Sequence, residues 1–72
     1  MKKIFALEDL DCANCAAKMA DGIRKIHGVT FADVNFLTQK LTLEADEQAF
    51  DDILKQAVKI CKKIEPDCRI LF

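Results

Sequence analysis

The chain has 72 residues, carries eleven Lys and Arg against twelve Asp and Glu for a formal charge of −1, and is 51% hydrophobic and 32% charged. That length allows one compact domain, residues 1–72, and excludes a multidomain enzyme. With no basic field to attract a phosphate backbone and no Trp or Tyr, the composition describes a folded unit with a core and excludes nucleic acid as a partner.

The N-terminus, Met1-Lys2-Lys3-Ile4-Phe5-Ala6-Leu7, begins like a signal peptide, but Glu8, Asp9 and Asp11 interrupt the apolar stretch. No run approaches the ~20 apolar residues that a bilayer span needs. The expected location is therefore cytoplasmic, a reducing compartment in which four cysteines serve as metal ligands or redox groups more often than as structural bridges. Phe5 and Leu7 alternate with Ile4, Ala6 and Glu8, which predicts a first strand over Lys3–Glu8.

After Leu10-Asp11-Cys12-Ala13-Asn14-Cys15, the residues Ala16, Met19, Ala20, Ile23 and Ile26 recur at helical steps, and Gly28 stands where the helix should stop. Gly22 inside this segment is worth about 1 kcal/mol less than Ala, so the apolar stripe and not propensity predicts the helix. Ala32, Val34 and Phe36, then Leu41 and Leu43, alternate with polar residues on either side of 37–40, giving a hairpin. Phe31 has the opposite parity, which places it either outside the core or at a bulge.

Asp46, Glu47, Asp51 and Asp52 precede Lys55, Lys59, Lys62 and Lys63, the charge order that suits a helix macrodipole, and predict a second helix over Glu47–Lys63. Phe50, Ile53, Leu54, Ala57, Cys61 and Ile64 form its buried stripe. Pro66 ends it, and Cys68-Arg69-Ile70-Leu71 is a short last strand. The order is that of a ferredoxin-like βαββαβ domain of the α+β class: a four-stranded antiparallel sheet with two helices on one face. In that topology the Cys12 loop, residues 37–40 and residues 64–67 are neighbours at one edge.

Asp11-Cys12-Ala13-Asn14-Cys15 places two thiols within chelating reach where a strand hands over to a helix. The free N–H groups and dipole of a first turn favour thiolate, which is both nucleophile and metal ligand. Four chemistries use such a pair: a metal clamp, a thioredoxin-like redox centre, half of a structural zinc site, or haem attachment. Haem attachment requires His where Ala16 stands. A four-cysteine zinc site needs a second close pair, whereas Cys61 and Cys68 are six residues apart on different predicted elements. A thioredoxin-type centre needs a larger domain, and this loop has no aromatic residue before its first cysteine, Cys12. These comparisons favour an exposed, exchangeable metal site, with a small thiol oxidoreductase as the rival from another class.

Leu10-Asp11-Cys12-Ala13-Asn14-Cys15-Ala16 resembles the glycine-methionine-x-cysteine-x-x-cysteine loop of heavy-metal-associated domains. The resemblance extends through His27-Gly28-Val29, Val34-Asn35-Phe36 and Lys40-Leu41-Thr42-Leu43, nearly the whole chain. Such domains occur as free metallochaperones and as cytosolic N-terminal modules of heavy-metal P-type ATPases. Asp9 stands where the family usually has Gly, and Leu10 where it usually has Met, a change that keeps the volume of a residue expected to pack under the loop.

Copper(I) members usually carry Thr or Ser at the place of Asp11, whereas Asp there resembles the modules of zinc, cadmium and lead exporters. Chemistry gives an independent reason: copper(I) is satisfied by two soft thiolates, while zinc takes higher coordination and accepts a carboxylate. The plainer role for Asp11 is a helix cap. The resemblance thus implies a carrier and not an enzyme, with Cys12, Cys15 and Asp11 as ligands for Zn2+, Cd2+ or Pb2+, or Cu+ as the alternative cargo of a free copper(I) metallochaperone. Its implied partner is the membrane transport core of a P-type ATPase or another metal-transfer protein, and the domain itself is monomeric. An ATPase would carry an Asp-Lys-Thr-Gly phosphorylation motif, which is absent from these residues.

The other candidates have plainer readings. Cys61 and Cys68 lie at core positions and behave as small buried hydrophobes, with support of the nearby metal loop as the sharper alternative for Cys61. His27 is a polar helix end, and Glu65 is a solvated charge in an acidic loop, with support of the metal as its sharper alternative.

Overall fold

The computed structural model describes residues 1–71, in which the elements follow the predicted order. They are β1 (Lys2–Glu8), α1 (Ala13–Arg24), β2 (Val29–Asn35), β3 (Lys40–Ala45), α2 (Phe50–Ile64) and β4 (Arg69–Leu71). The strands form one antiparallel sheet in the order β2-β3-β1-β4. This is the expected ferredoxin-like fold, with β1 and β3 central. Strand β3 is paired along both sides, whereas β1 pairs with β4 only through Ala6–Glu8.

The two-residue period of the strands decides which side chains meet the helices. Phe5, Leu7, Ala32, Val34, Leu41, Leu43, Ala45 and Ile70 are buried, whereas Ile4, Phe31 and Leu71 are exposed. Ala16, Met19, Ala20 and Ile23 of α1, with Phe50, Ile53, Ala57 and Cys61 of α2, close the core from the helical side. Leu54 and Ile64, assigned to the buried stripe from the sequence, are only half-buried at its margins.

Several boundaries differ from expectation, β4 for one beginning at Arg69 and not at Cys68, and four of the differences have a local reason. Helix α1 ends at Arg24 and not at Gly28, because the Lys25 and Ile26 N–H groups tighten onto Gly22 O and Ile23 O at 3.2 and 3.1 Å. Gly28, at φ +98°, instead turns the chain into β2 in a conformation that costs glycine nothing. Strand β2 accordingly begins at Val29, with a register shift between Val29 and Phe31. Phe31 is thus both next to a bulge and outside the core.

Phe36, expected in the strand, belongs to the turn, so the hairpin loop is 36–39 and Asn35 faces Lys40. Asn35 Oδ1 accepts from the N–H groups of Leu37 and Thr38 at 2.9 and 3.1 Å, a side-chain-capped turn. Finally, Glu47–Ala49 is a single 3-10 turn that precedes α2, with Asp46 Oδ1 accepting from Gln48 N–H at 3.1 Å. Among the described residues no helix is long and apolar enough to cross a membrane.

Candidate metal centre

The loop between β1 and α1 is built by three adjacent constraints. Asp9 takes the left-handed conformation, at φ 61°, which explains why Gly suits this place and why Asp, one of the residues that tolerates it, is accepted. Leu10 then turns inward and is 2% exposed, so it anchors the loop in the core, as expected for the residue standing at the family's Met position. Cys12 is extended, at φ −131° and ψ 117°, and is the N-cap of α1.

Its Sγ accepts the Cys15 N–H at 3.2 Å, and its carbonyl accepts the Ala16 N–H at 3.1 Å. The cap role considered for Asp11 therefore falls to Cys12. A thiolate at this position satisfies an otherwise unpaired donor of the first turn.

The two thiols diverge in acidity. Hydrogen bonds from the Cys15 thiol and then from the Cys15 and Asn14 backbone lower Cys12 from its ordinary value of 9.0. The Cys15 thiol, donating to Cys12, partly desolvated and facing Glu65, is raised to about 11. Of the two, Cys12 is thus the readier to become thiolate and Cys15 the more reluctant. Both sulfurs are half-buried, at the surface and not in the core.

Asp11 is exposed and lines a cleft together with Asp9, Lys62, Pro66, Asp67 and Arg69. Among the described residues, no three His, Cys, Asp or Glu side chains converge closely enough to hold a metal ion together. Glu65, read from the sequence as a solvated charge, is half-buried and acts on both Cys12 and Cys15. The predicted edge is thereby assembled: the Cys12 loop, the hairpin turn and the end of α2 meet. His27 is exposed, in the turn that follows the far end of α1.

The structure also brings in Gln39, which the sequence reading passed over. Leu10 N–H donates to Gln39 Oε1 at 3.1 Å, and Gln39 Nε2 donates to Leu10 O at 2.7 Å. The only sequence signal was a long amide in the turn expected beside the loop.

Cys61 and Cys68 are each 1% exposed and are free thiols, as their core positions implied. Burial first, and then the charge of Cys68, pushes Cys61 up to about 12. The folded state therefore holds this proton more tightly than the unfolded chain does. Its contribution to stability is complete below pH 9 and is lost as pH rises toward 12. Between those limits the loss is expected to approach about 1.4 kcal/mol per pH unit. Urea titrations of native protein and Cys61→Ala at pH 8 to 11 check this: the native midpoint falls more steeply than that of the variant.

Residues 4–68 match the family described as the heavy-metal-associated domain, and the chain belongs to that family. It is accordingly a heavy-metal-binding domain. It is 35% identical over 66 residues, 92% of this chain, to the cadmium, zinc and cobalt-transporting ATPase of Bacillus subtilis (strain 168), of which the matched part is 9%. It is 31% identical over 58 residues to the COP-associated protein of Helicobacter pylori (strain ATCC 700392 / 26695), covering 81% of this chain and 88% of that protein. The solution structure of the N-terminal domain of ZntA in the apo-form aligns with a TM-score of 0.73 at 30% identity, over 99% of this chain and 92% of that one. The chain spans less than a tenth of the length of the curated ATPases it matches.

Proposed function

We propose that this domain binds a soft or borderline divalent ion, Zn2+, Cd2+ or Pb2+, through Cys12 and Cys15, with Asp11 completing the site, and passes it on by ligand exchange. The observation that carries this reading is the surface pair at the start of α1: Cys12, lowered in pKa and capping the helix, with Cys15 one turn away. Cys12, the readier of the two to release its proton to solvent, meets the incoming ion first. Cys15 follows, releasing its proton to solvent as its sulfur replaces a water of the ion. Asp11, one residue from Cys12 and exposed, then swings to add a carboxylate that offsets divalent charge.

Release reverses these steps once a partner's cysteine or carboxylate occupies an open coordination position. Likeness to the transporting ATPases supports a membrane transport core as the partner, met at the cytosolic face, with another metal-transfer protein in the same role if the domain acts free.

A second reading, copper(I) carriage by a free chaperone, draws on the likeness to the COP-associated protein, most of whose length this chain matches. Zinc affinity measured by competition with a chromophoric chelator, under anaerobic reducing conditions, separates the two. Native protein is expected to bind one zinc ion, and Asp11→Ala is expected to bind it at least roughly tenfold more weakly, about 1.4 kcal/mol. Equal affinities would remove Asp11 from the site and favour copper(I). A Cys12–Cys15 disulfide cycling at a defined potential in place of metal binding would favour the oxidoreductase.

A further inference from the structure

We infer that Gln39 is the positioning residue of the metal loop: from the β2–β3 hairpin it clamps the Leu10 peptide, and so fixes where Cys12 stands relative to Cys15. This rests on the proposed reading of those two cysteines as the ligands.

The clamp grips both polar groups of one peptide residue. Leu10 N–H donates to Gln39 Oε1 at 3.1 Å, while Gln39 Nε2 donates to Leu10 O at 2.7 Å. The same Nε2 also donates to Phe36 O at 2.8 Å, tying the amide to its own turn. The Gln39 carbonyl accepts the Leu7 N–H at 2.7 Å, which continues the β1–β3 pairing one residue ahead of Lys40, the first residue of β3. Four hydrogen bonds therefore converge on this half-buried residue.

The backbone is specialised to allow it. Gln39 stands at φ 55°, a left-handed conformation in which glutamine is strained and glycine is at ease. A turn needing only to reverse the chain would be served better by glycine, so the side chain offsets the strain through what it holds. The segment it holds is otherwise anchored by the Leu10 side chain in the core. Asp9 is itself left-handed, and between it and the N-cap only Leu10 enters the core. Leu10 is thus a pivot, fixed by its side chain below and by the Gln39 amide at its backbone. From it the chain runs through Asp11 to Cys12. A loop released at Leu10 must be re-ordered each time both thiols engage an ion, and the entropy of that ordering weakens binding.

Two substitutions remove the amide clamp and keep the backbone conformation. Gln39→Gly prefers the left-handed region, and Gln39→Asn tolerates it but is one methylene too short to hold Leu10 in the same way. The thermal midpoint of Gln39→Gly is expected not to fall. Zinc affinity by chelator competition is expected to drop roughly tenfold in both variants, the usual scale for loss of an outer-shell support. The Leu10 amide, followed by hydrogen exchange in the zinc-free protein, is expected to exchange faster in both.

A faster Leu10 amide with zinc affinity within twofold of native in both variants would overturn the proposal. So would an unchanged Leu10 amide. A native domain that binds no zinc at Cys12 and Cys15 would overturn the proposed function, and this inference with it, so the two failures are told apart by the native measurement alone.

Discussion

Replacing Cys12 with Ser is expected to abolish metal binding and leave the fold intact. The side chain does two jobs at once: its sulfur is the more acidic of the two candidate ligands, and it accepts the Cys15 N–H at 3.2 Å as the cap of α1. Serine performs the second job well, being among the preferred N-cap residues, but remains a neutral alcohol at neutral pH and is a poor ligand for soft ions. The variant therefore separates capping from ligation. Zinc affinity should fall by more than about 100-fold, beyond the cost of losing an outer-shell partner, because one of two anionic sulfurs is gone. The circular-dichroism melt should stay within a few degrees of native on the usual scale for a small domain. Retention of stoichiometric zinc by this variant, with an unchanged melt, would remove Cys12 from the site.

The largest effect on stability is expected from Leu10→Ala. Leu10 is 2% exposed and belongs to the continuous core cluster, although it lies in a loop between β1 and α1. Truncating a leucine so enclosed costs about 2–5 kcal/mol, the lost transfer energy plus the cavity left behind. Domains are stable by only about 0.05–0.15 kcal/mol per residue, so one of this size has little left to lose. The variant should show a urea midpoint far below native, or no cooperative transition near room temperature.

Leu10→Met, which conserves volume, should cost under about 1.5 kcal/mol. That pair of outcomes would explain physically why leucine can stand where the family usually has methionine: the residue supports the loop from below and does not touch the ion. A mild loss in Leu10→Ala, under about 1 kcal/mol, would show instead that the loop can lift from the core without cost.

Much of this molecule was legible in its sequence because two kinds of signal are local. The alternation of Phe5 and Leu7, of Ala32 and Val34, and of Leu41 and Leu43 is set by the pleat. The steps from Ala16 to Ile23 and from Phe50 to Cys61 are set by the helical turn. Together they fix the element order, and element order with right-handed crossovers leaves few topologies open. The spacing of Cys12 and Cys15 and the apolar positions of Cys61 and Cys68 were likewise readable without coordinates, as was the meeting of three loops at one edge.

Element ends were less legible, since they depend on which of several backbone partners is taken. Arg24 ends α1 because Lys25 and Ile26 find closer acceptors than a further helical turn offers, while Arg24 Nε donates to Ala32 O of β2 at 2.8 Å. The 3-10 turn before α2 and the one-residue displacement of the hairpin loop are decisions of the same kind.

What the sequence by itself determined, then, is the order of the elements and the spacing of Cys12 and Cys15, written in periodicity within a few residues, while the family came from the resemblance of the loop motif. What only the tertiary structure decided is how the sulfurs are held. That Cys12 and not Asp11 caps α1, that Asp11 faces the cleft with Arg69, that Glu65 reaches Cys15, and that Gln39 grips Leu10 from 29 positions away are matters of distance and direction. No pattern along the chain encodes them, because a hydrogen bond between two loops depends on where the whole sheet places their ends.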